Sequence, residues 1–98
     1  MSRYLISPLA EQDMEAIGDF IAQDNPHRAL TFIAELRSQC AKIATSPKTF
    51  RLRPELGENI RSATYGNYVI FFHDNPGELC IVRILHGAMD IESRFLEK

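Results

Sequence analysis

Four side chains in the second half of the chain have the clearest capacity for chemistry: Arg61, Arg83, His86 and Asp90. Arg83 interrupts the run Cys80-Ile81-Val82-Arg83-Ile84-Leu85, and strand alternation predicts that it shares a face with Ile81 and Leu85. A guanidinium inside such a run is costly to bury unpaired, so it must reach water, a carboxylate or a ligand phosphate. Two readings follow. Arg83 closes a structural ion pair with a nearby acid such as Glu92 or Asp90, or it binds an anion or a partner at the edge of a concave sheet. Arg61, beside Ile60, poses the same question on another strand.

His86 opens the segment His86-Gly87-Ala88-Met89-Asp90. An imidazole titrates near neutrality and can move protons as a general acid or base. It can equally fix the turn that Gly87 permits, by bonding a backbone carbonyl or Asp90. No nucleophile or second titratable partner accompanies it in sequence, which favours the structural role. His27, in the first turn of a helix, and His73, beside Asp74, read as surface residues. No HxxxH, CxxC, GxGxxG or P-loop pattern occurs and no serine sits on a nucleophile elbow, so no metal, nucleotide or other cofactor is implied.

The elements that must position these residues are legible from periodicity. Tyr4-Leu5-Ile6 reads as a short strand. Ser7-Pro8 then begins a helix, with serine as N-cap, proline at the first helical position and Glu11 near the positive end of the dipole. Ala10, Met14, Ile17 and Ile21 form its apolar stripe. Asp24-Asn25-Pro26 ends that helix and starts a second, whose stripe is Ala29, Ile33, Leu36, Cys40 and Ile43 and which stops near Ser46-Pro47. So short a connection makes the two helices antiparallel neighbours.

After a loop from Pro47 to Asn59 the period changes. Ile60 to Thr64 reads as a strand, Tyr65-Gly66-Asn67 as a turn and Tyr68 to Phe72 as a central strand apolar on both faces. Asp74-Asn75-Pro76-Gly77 then makes a hairpin connection before a last strand from Leu79 to Leu85. The segment Met89 to Lys98 has helical composition and could pack Ile91, Phe95 and Leu96 on the core. The expected fold is α+β, β-α-α-β-β-β-(α): an antiparallel helical hairpin on one face of a mostly antiparallel four-stranded sheet, a single domain over residues 1–98.

Composition bounds the function classes. Ninety-eight residues, 45% apolar and 24% charged, suit one modest globular core. A net charge of −2 and a pI near 5.9 argue against indiscriminate nucleic-acid binding, which needs a basic surplus. The charge is unevenly placed. Glu11, Asp13, Glu15, Asp19 and Asp24 belong to the first helix and its end, while Arg51, Arg53, Arg61, Arg83 and Arg94 fall in the C-terminal half, which predicts two electrostatically different faces. Cys40 and Cys80 lie in apolar runs and read as free, buried thiols. The longest apolar run, Tyr68 to Phe72, is far too short to span a membrane, and no secretory pattern follows Met1-Ser2-Arg3, so the expected location is the cytoplasm.

Four stretches in this order carry a family resemblance. They are Ser7 to Ile17, Asp24-Asn25-Pro26 with Ala29-Leu30-x-Phe32, Leu56-Gly57 leading to Ile60-Arg61-Ser62-x-x-x-Gly66-x-Tyr68-Val69-Ile70-Phe71-Phe72, and Ile81 to Asp90. The last two are close to R-x-x-x-x-G-x-Y-x-I-x-Y/F and I-x-R-x-L-H-G-x-R-D, and the chain resembles the ParE toxins of the RelE/ParE superfamily. Met89 departs from the arginine common at its position, and Phe72 from the tyrosine often found at its own. The resemblance implies a toxin of a type II toxin–antitoxin system that poisons DNA gyrase by binding, with Arg61, Arg83, His86 and Asp90 as target-binding candidates. It also implies neutralisation by a ParD-like antitoxin lying along the helical hairpin and the exposed sheet face, in a groove or by strand addition. No membrane partner and no sequence-specific nucleic-acid binding by the toxin alone are expected.

The rival within the superfamily is a RelE-like ribosome-dependent mRNA endoribonuclease, with Arg61 and Arg83 on the phosphate, His86 moving protons and Glu55 or Glu58 as base. Against it, Lys42 and Lys48 are isolated, the only other lysine is terminal, and no tyrosine follows Tyr68. A binding-only module that has lost toxicity is a third reading.

Overall fold

The computed structural model describes residues 4–88 together with Ile91 and Phe95. Strand β1 (Tyr4–Ile6) leads into helices α1 (Pro8–Ala22) and α2 (Pro26–Thr45), followed by β2 (Arg51–Leu52), β3 (Ile60–Tyr65), β4 (Tyr68–Asn75) and β5 (Glu78–His86). Both helix starts follow from their caps. The Ser7 hydroxyl accepts from the Ala10 N–H at 3.0 Å, and the Asn25 side chain accepts from the Arg28 N–H at 3.0 Å. Each cap is followed by a proline that has no N–H to leave unsatisfied.

The sheet runs β1-β5-β4-β3-β2, with β1 parallel to β5 and every other pair antiparallel. The α+β architecture and the helical hairpin on one face are as expected, but the sheet has five strands where four were expected. The fifth is β2, two residues from the expected 47–59 loop, held against β3 by the register Leu52↔Arg61 and continued by the Arg53 N–H donating to the Ile60 carbonyl at 2.7 Å. Two residues are too few to leave a period-two signal. The last hairpin is also tighter than expected: β4 continues through His73, Asp74 and Asn75, and only Pro76-Gly77 turns, with Gly77 at φ 80°.

The sheet is buried on both sides. Toward the helices, Met14, Phe32, Leu36, Cys40 and Ile43 pack on Ala63, Ile70, Phe72, Ile81 and Ile84. On the other face Leu56, Ile60, Val69, Phe71 and Leu85 form a second, smaller cluster with Val82, Ile91 and Phe95 against it. The expected packing of Ile91 and Phe95 is present, Phe95 standing edge-on to Phe71 at 5.3 Å; Leu96 lies outside the described residues.

Between the faces, the β4–β5 register shifts. Phe71 is opposite Arg83 but Phe72 is opposite Ile81, so Val82 is the extra residue of a β-bulge. This corrects the expectation that Ile81, Arg83 and Leu85 share a face. Ile81 packs toward the helices and Leu85 into the opposite cluster, because one inserted residue breaks the alternation.

Candidate functional site

Arg83 stands at the bulge and reaches α1. Its Nε and Nη2 donate to the two carboxylate oxygens of Asp13 at 2.8 and 2.9 Å, and the Ile84 N–H donates to Asp13 Oδ2 at 2.9 Å. Both side chains are largely buried, 14% and 13% exposed, and the pair is bidentate and charge-assisted, the strong form of such a contact. Arg83 thus pairs with an acid seventy residues away; Glu92 and Asp90, the acids expected near it, lie outside the described residues. Ser7 braces the same bulge: its N–H donates to the Ile81 carbonyl at 2.9 Å and its hydroxyl to the Val82 carbonyl at 3.0 Å. The first turns of α1 therefore hold the backbone of residues 81–84.

His86 ends β5. Its Nδ1 accepts from the Ala88 N–H at 3.0 Å, and its ring stands edge-on to Tyr68 at 5.2 Å. The turn-fixing role is realised, with a backbone amide donating to the ring where a carbonyl or Asp90 was expected to accept from it. With Nδ1 accepting, the neutral ring carries its proton on Nε2, so the free nitrogen is a donor. Arg83, His86, Tyr68, Phe20 and Asp13 line one shallow cavity of about 360 Å3 between α1 and β5. Phe20 is 67% exposed at its rim.

Arg61 belongs to a different locale. Its Nη1 donates to the Phe50 carbonyl at 2.7 Å, and its Nε lies 3.3 Å from Asp74 Oδ2, close enough for ion pairing yet out of line for a hydrogen bond. Lys48 Nζ stands 3.8 Å from the same oxygen. Arg61 is opposite Phe72 and Arg83 opposite Phe71 on β4, but their guanidiniums diverge, one to the start of β2 and one to α1. The structure thus brings Arg83 and His86 into one cavity and leaves Arg61 out of it. Asp90 lies outside the described residues.

The other expected participants are engaged elsewhere. Glu55 accepts from Arg53 Nε at 2.7 Å, which holds its carboxyl below the usual carboxylate range, while Glu58 is exposed. Arg53 in turn reaches Ser62 Oγ at 3.3 Å and lies over the Phe71 ring at 5.6 Å. The acidic helix and the basic C-terminal half meet where Arg83 of β5 pairs with Asp13 of α1, while Glu11 pairs with Arg37 within the helix layer. His27 is exposed as expected, but His73 is half-buried with Nδ1 enclosed and lacking a hydrogen-bond partner among the described residues. Cys40 is fully buried, and desolvation pushes its thiol up to about 11; Cys80 is half-buried, and both thiols are free.

A separate apolar groove of about 600 Å3 runs between the helices, lined by Met14, Gly18, Ala22, Leu30 and Ile33 with the Glu11–Arg37 ion pair at one end. Leu30, 74% exposed, stands at its edge. Among the described residues no group of three His, Cys, Asp or Glu side chains is placed to hold a metal ion, and no helix is long and apolar enough to cross a membrane.

Sequence reasoning missed Asp13, Asp74 and Tyr68. Asp13 does sit beside Met14 on the core stripe, a placement that invites a buried partner, but no pattern in sequence couples position 13 to position 83.

Residues 4–91 match the family model of the ParE toxin of type II toxin–antitoxin systems, and the chain belongs to this family. The Toxin ParE1 of Mycobacterium tuberculosis is 29% identical over 93 residues, covering 93% of this chain and 95% of that protein. In fold the chain is similar to a chain of the chromosomal ParDE TA system from P. aeruginosa, with TM-score 0.74, 21% identity, and 88% and 96% of the two chains covered. It is also similar to one in the toxin–antitoxin complex RelBE2 from Mycobacterium tuberculosis, with TM-score 0.60, 18% identity and 90% and 93% coverage.

Proposed function

We propose that this chain is a growth-arresting toxin that acts in the cytoplasm by binding DNA gyrase, and that a ParD-like antitoxin neutralises it. The observation that carries the reading is the family match over residues 4–91. The placement of the candidate residues adds support for binding over catalysis. Arg61 and Arg83 face different partners, Glu55 is held by Arg53, and one ring nitrogen of His86 is occupied by the Ala88 N–H. Arg83, His86, Tyr68 and the exposed Phe20 instead line one cavity with Asp13, and arginine and aromatic side chains are those in which protein interfaces concentrate their energy.

Purified protein should inhibit supercoiling by gyrase at stoichiometric concentrations, with cleaved DNA accumulating, while transcripts stay intact after induction. Unchanged supercoiling at excess toxin refutes the gyrase target, and translation-dependent mRNA cleavage lost in His86→Ala would establish the ribonuclease instead. For the antitoxin, the groove between α1 and α2 is mostly apolar and open, the kind of surface on which an amphipathic helix lays its apolar face. Leu30→Glu should weaken antitoxin capture at least tenfold, as measured by calorimetry; undiminished affinity would move the contact to another surface.

A further inference from the structure

Asp13 is an acid on the outer helix layer that accepts three hydrogen bonds from the sheet, two from Arg83 and one from the Ile84 N–H. The fork to Arg83 alone would make the ion pair; the third bond ties the same largely buried carboxylate to the strand backbone. The amide matters because of where it lies. Ile84 follows the bulge at Val82, and bulges re-aim the side chains beside them. With Ser7 bonded to Ile81 and Val82, α1 fixes the strand on both sides of Arg83, and two residues further on His86 and Tyr68 complete the cavity wall. One carboxylate therefore sets both the direction of the guanidinium and the path of the strand that carries it.

We infer that Asp13 is a positioning residue: it aims Arg83 and the end of β5 at the toxin's target, and it does not itself contact that target. The inference rests on the reading of Arg83 as a target contact in growth arrest, and it does not require that target to be gyrase. Bidentate Asp–Arg geometry tolerates little change in length or charge, so Asp13→Asn keeps an acceptor for the Ile84 amide while giving up the charge-assisted fork.

A double-mutant cycle on growth arrest after induction, in the full chain, tests it, with melting temperatures taken on the same proteins. Asp13→Asn should reduce arrest at least tenfold at matched protein levels, and in an Arg83→Ala background it should add less than twofold, because its effect passes through Arg83. The charge swap Asp13→Arg with Arg83→Asp separates position from stability. The swapped pair should recover part of the melting temperature lost by either single variant, the Ile84 amide losing its acceptor, yet growth arrest should stay lost, because the cation has moved from β5 to α1. Recovery of arrest by the swap, or an equal loss from Asp13→Asn with and without Arg83, overturns the inference. Arrest by the wild type without any loss of supercoiling removes only gyrase as the target, and the cycle is read on growth as before. A wild-type chain that leaves growth untouched overturns the inference together with the toxin reading.

Discussion

Phe71 and Phe72 are neighbours in the chain, both fully buried, yet each belongs to a different core. Phe72 lies under the helical hairpin, edge-on to Phe50 at 5.8 Å, among side chains from α1, α2 and three strands. Phe71 faces the other way, beneath Arg53 and against Phe95. The first face is closed by two regular helices whose stripes were written for the purpose. The second is closed by the loop that carries Leu56 and by Ile91 and Phe95. The contrast teaches that this sheet has one core closed by two long helices and another, smaller one closed by a loop residue and two side chains from beyond β5. The β4–β5 bulge, where Arg83 is held, lies between the two.

The largest effect should come from breaking the regular core. Phe72→Ala is expected to cost about 4 kcal/mol in urea unfolding, since helices on one side and strands on the other cannot collapse into the cavity. Phe71→Ala should cost less, about 3 kcal/mol, because the smaller cluster around it has fewer buried neighbours to leave without a contact. Equal losses would show that the size of the cluster does not set the cost. Next, Asp13→Ala should destabilise by roughly 3 kcal/mol or somewhat less, leaving a largely buried guanidinium without this partner. Arg61→Ala should cost less than Arg83→Ala, because the Arg61–Asp74 contact is not aligned as a hydrogen bond and Asp74 retains Lys48 nearby. The reverse order, measured in the same denaturant series, would mean that the clamp at Phe50 matters more than the tie to α1.

A thiol titration sharpens the same comparison. Cys40 lies in the regular core, and its folded thiol titrates at about 11, above the ordinary cysteine value. Between the two values the folded state holds the proton that the unfolded state releases. This contribution is complete at neutral pH and is lost as pH rises through about 9 toward 11, by roughly 2 kcal/mol in all. Cys40→Ala should flatten that alkaline decline; an unchanged slope would assign it to other groups. A slower-reacting Cys40 than Cys80 in a native thiol assay is the smallest expected difference, following from full against partial burial.

Much of the fold was legible because it rests on local rules. Helix starts follow from Ser7-Pro8 and Asn25-Pro26, helix faces from three-four spacing, and the β3–β4 turn from Gly66, which adopts φ 58°. Arg83 and His86, which the sequence singles out as residues needing an explanation, line one cavity. What was not legible was non-local. The two-residue β2 exists only because β3 offers it an edge, and the sharing of a face by Ile81, Arg83 and Leu85 failed at a bulge that no local pattern marks. That Arg83 pairs with an acid of α1 was not legible either, because packing and not sequence proximity brings Asp13 to it.

By itself, then, the sequence determined the element order, the helix-covered apolar face and the family, since caps, periodicity and the spaced motifs from Arg61 to Phe72 and from Ile81 to Asp90 are properties of neighbouring residues. Only the tertiary structure decided which arginine meets which acid and which way each residue around the bulge faces. Those outcomes depend on strand register and on contacts across tens of residues, where a shift of one position turns a side chain from one core to the other.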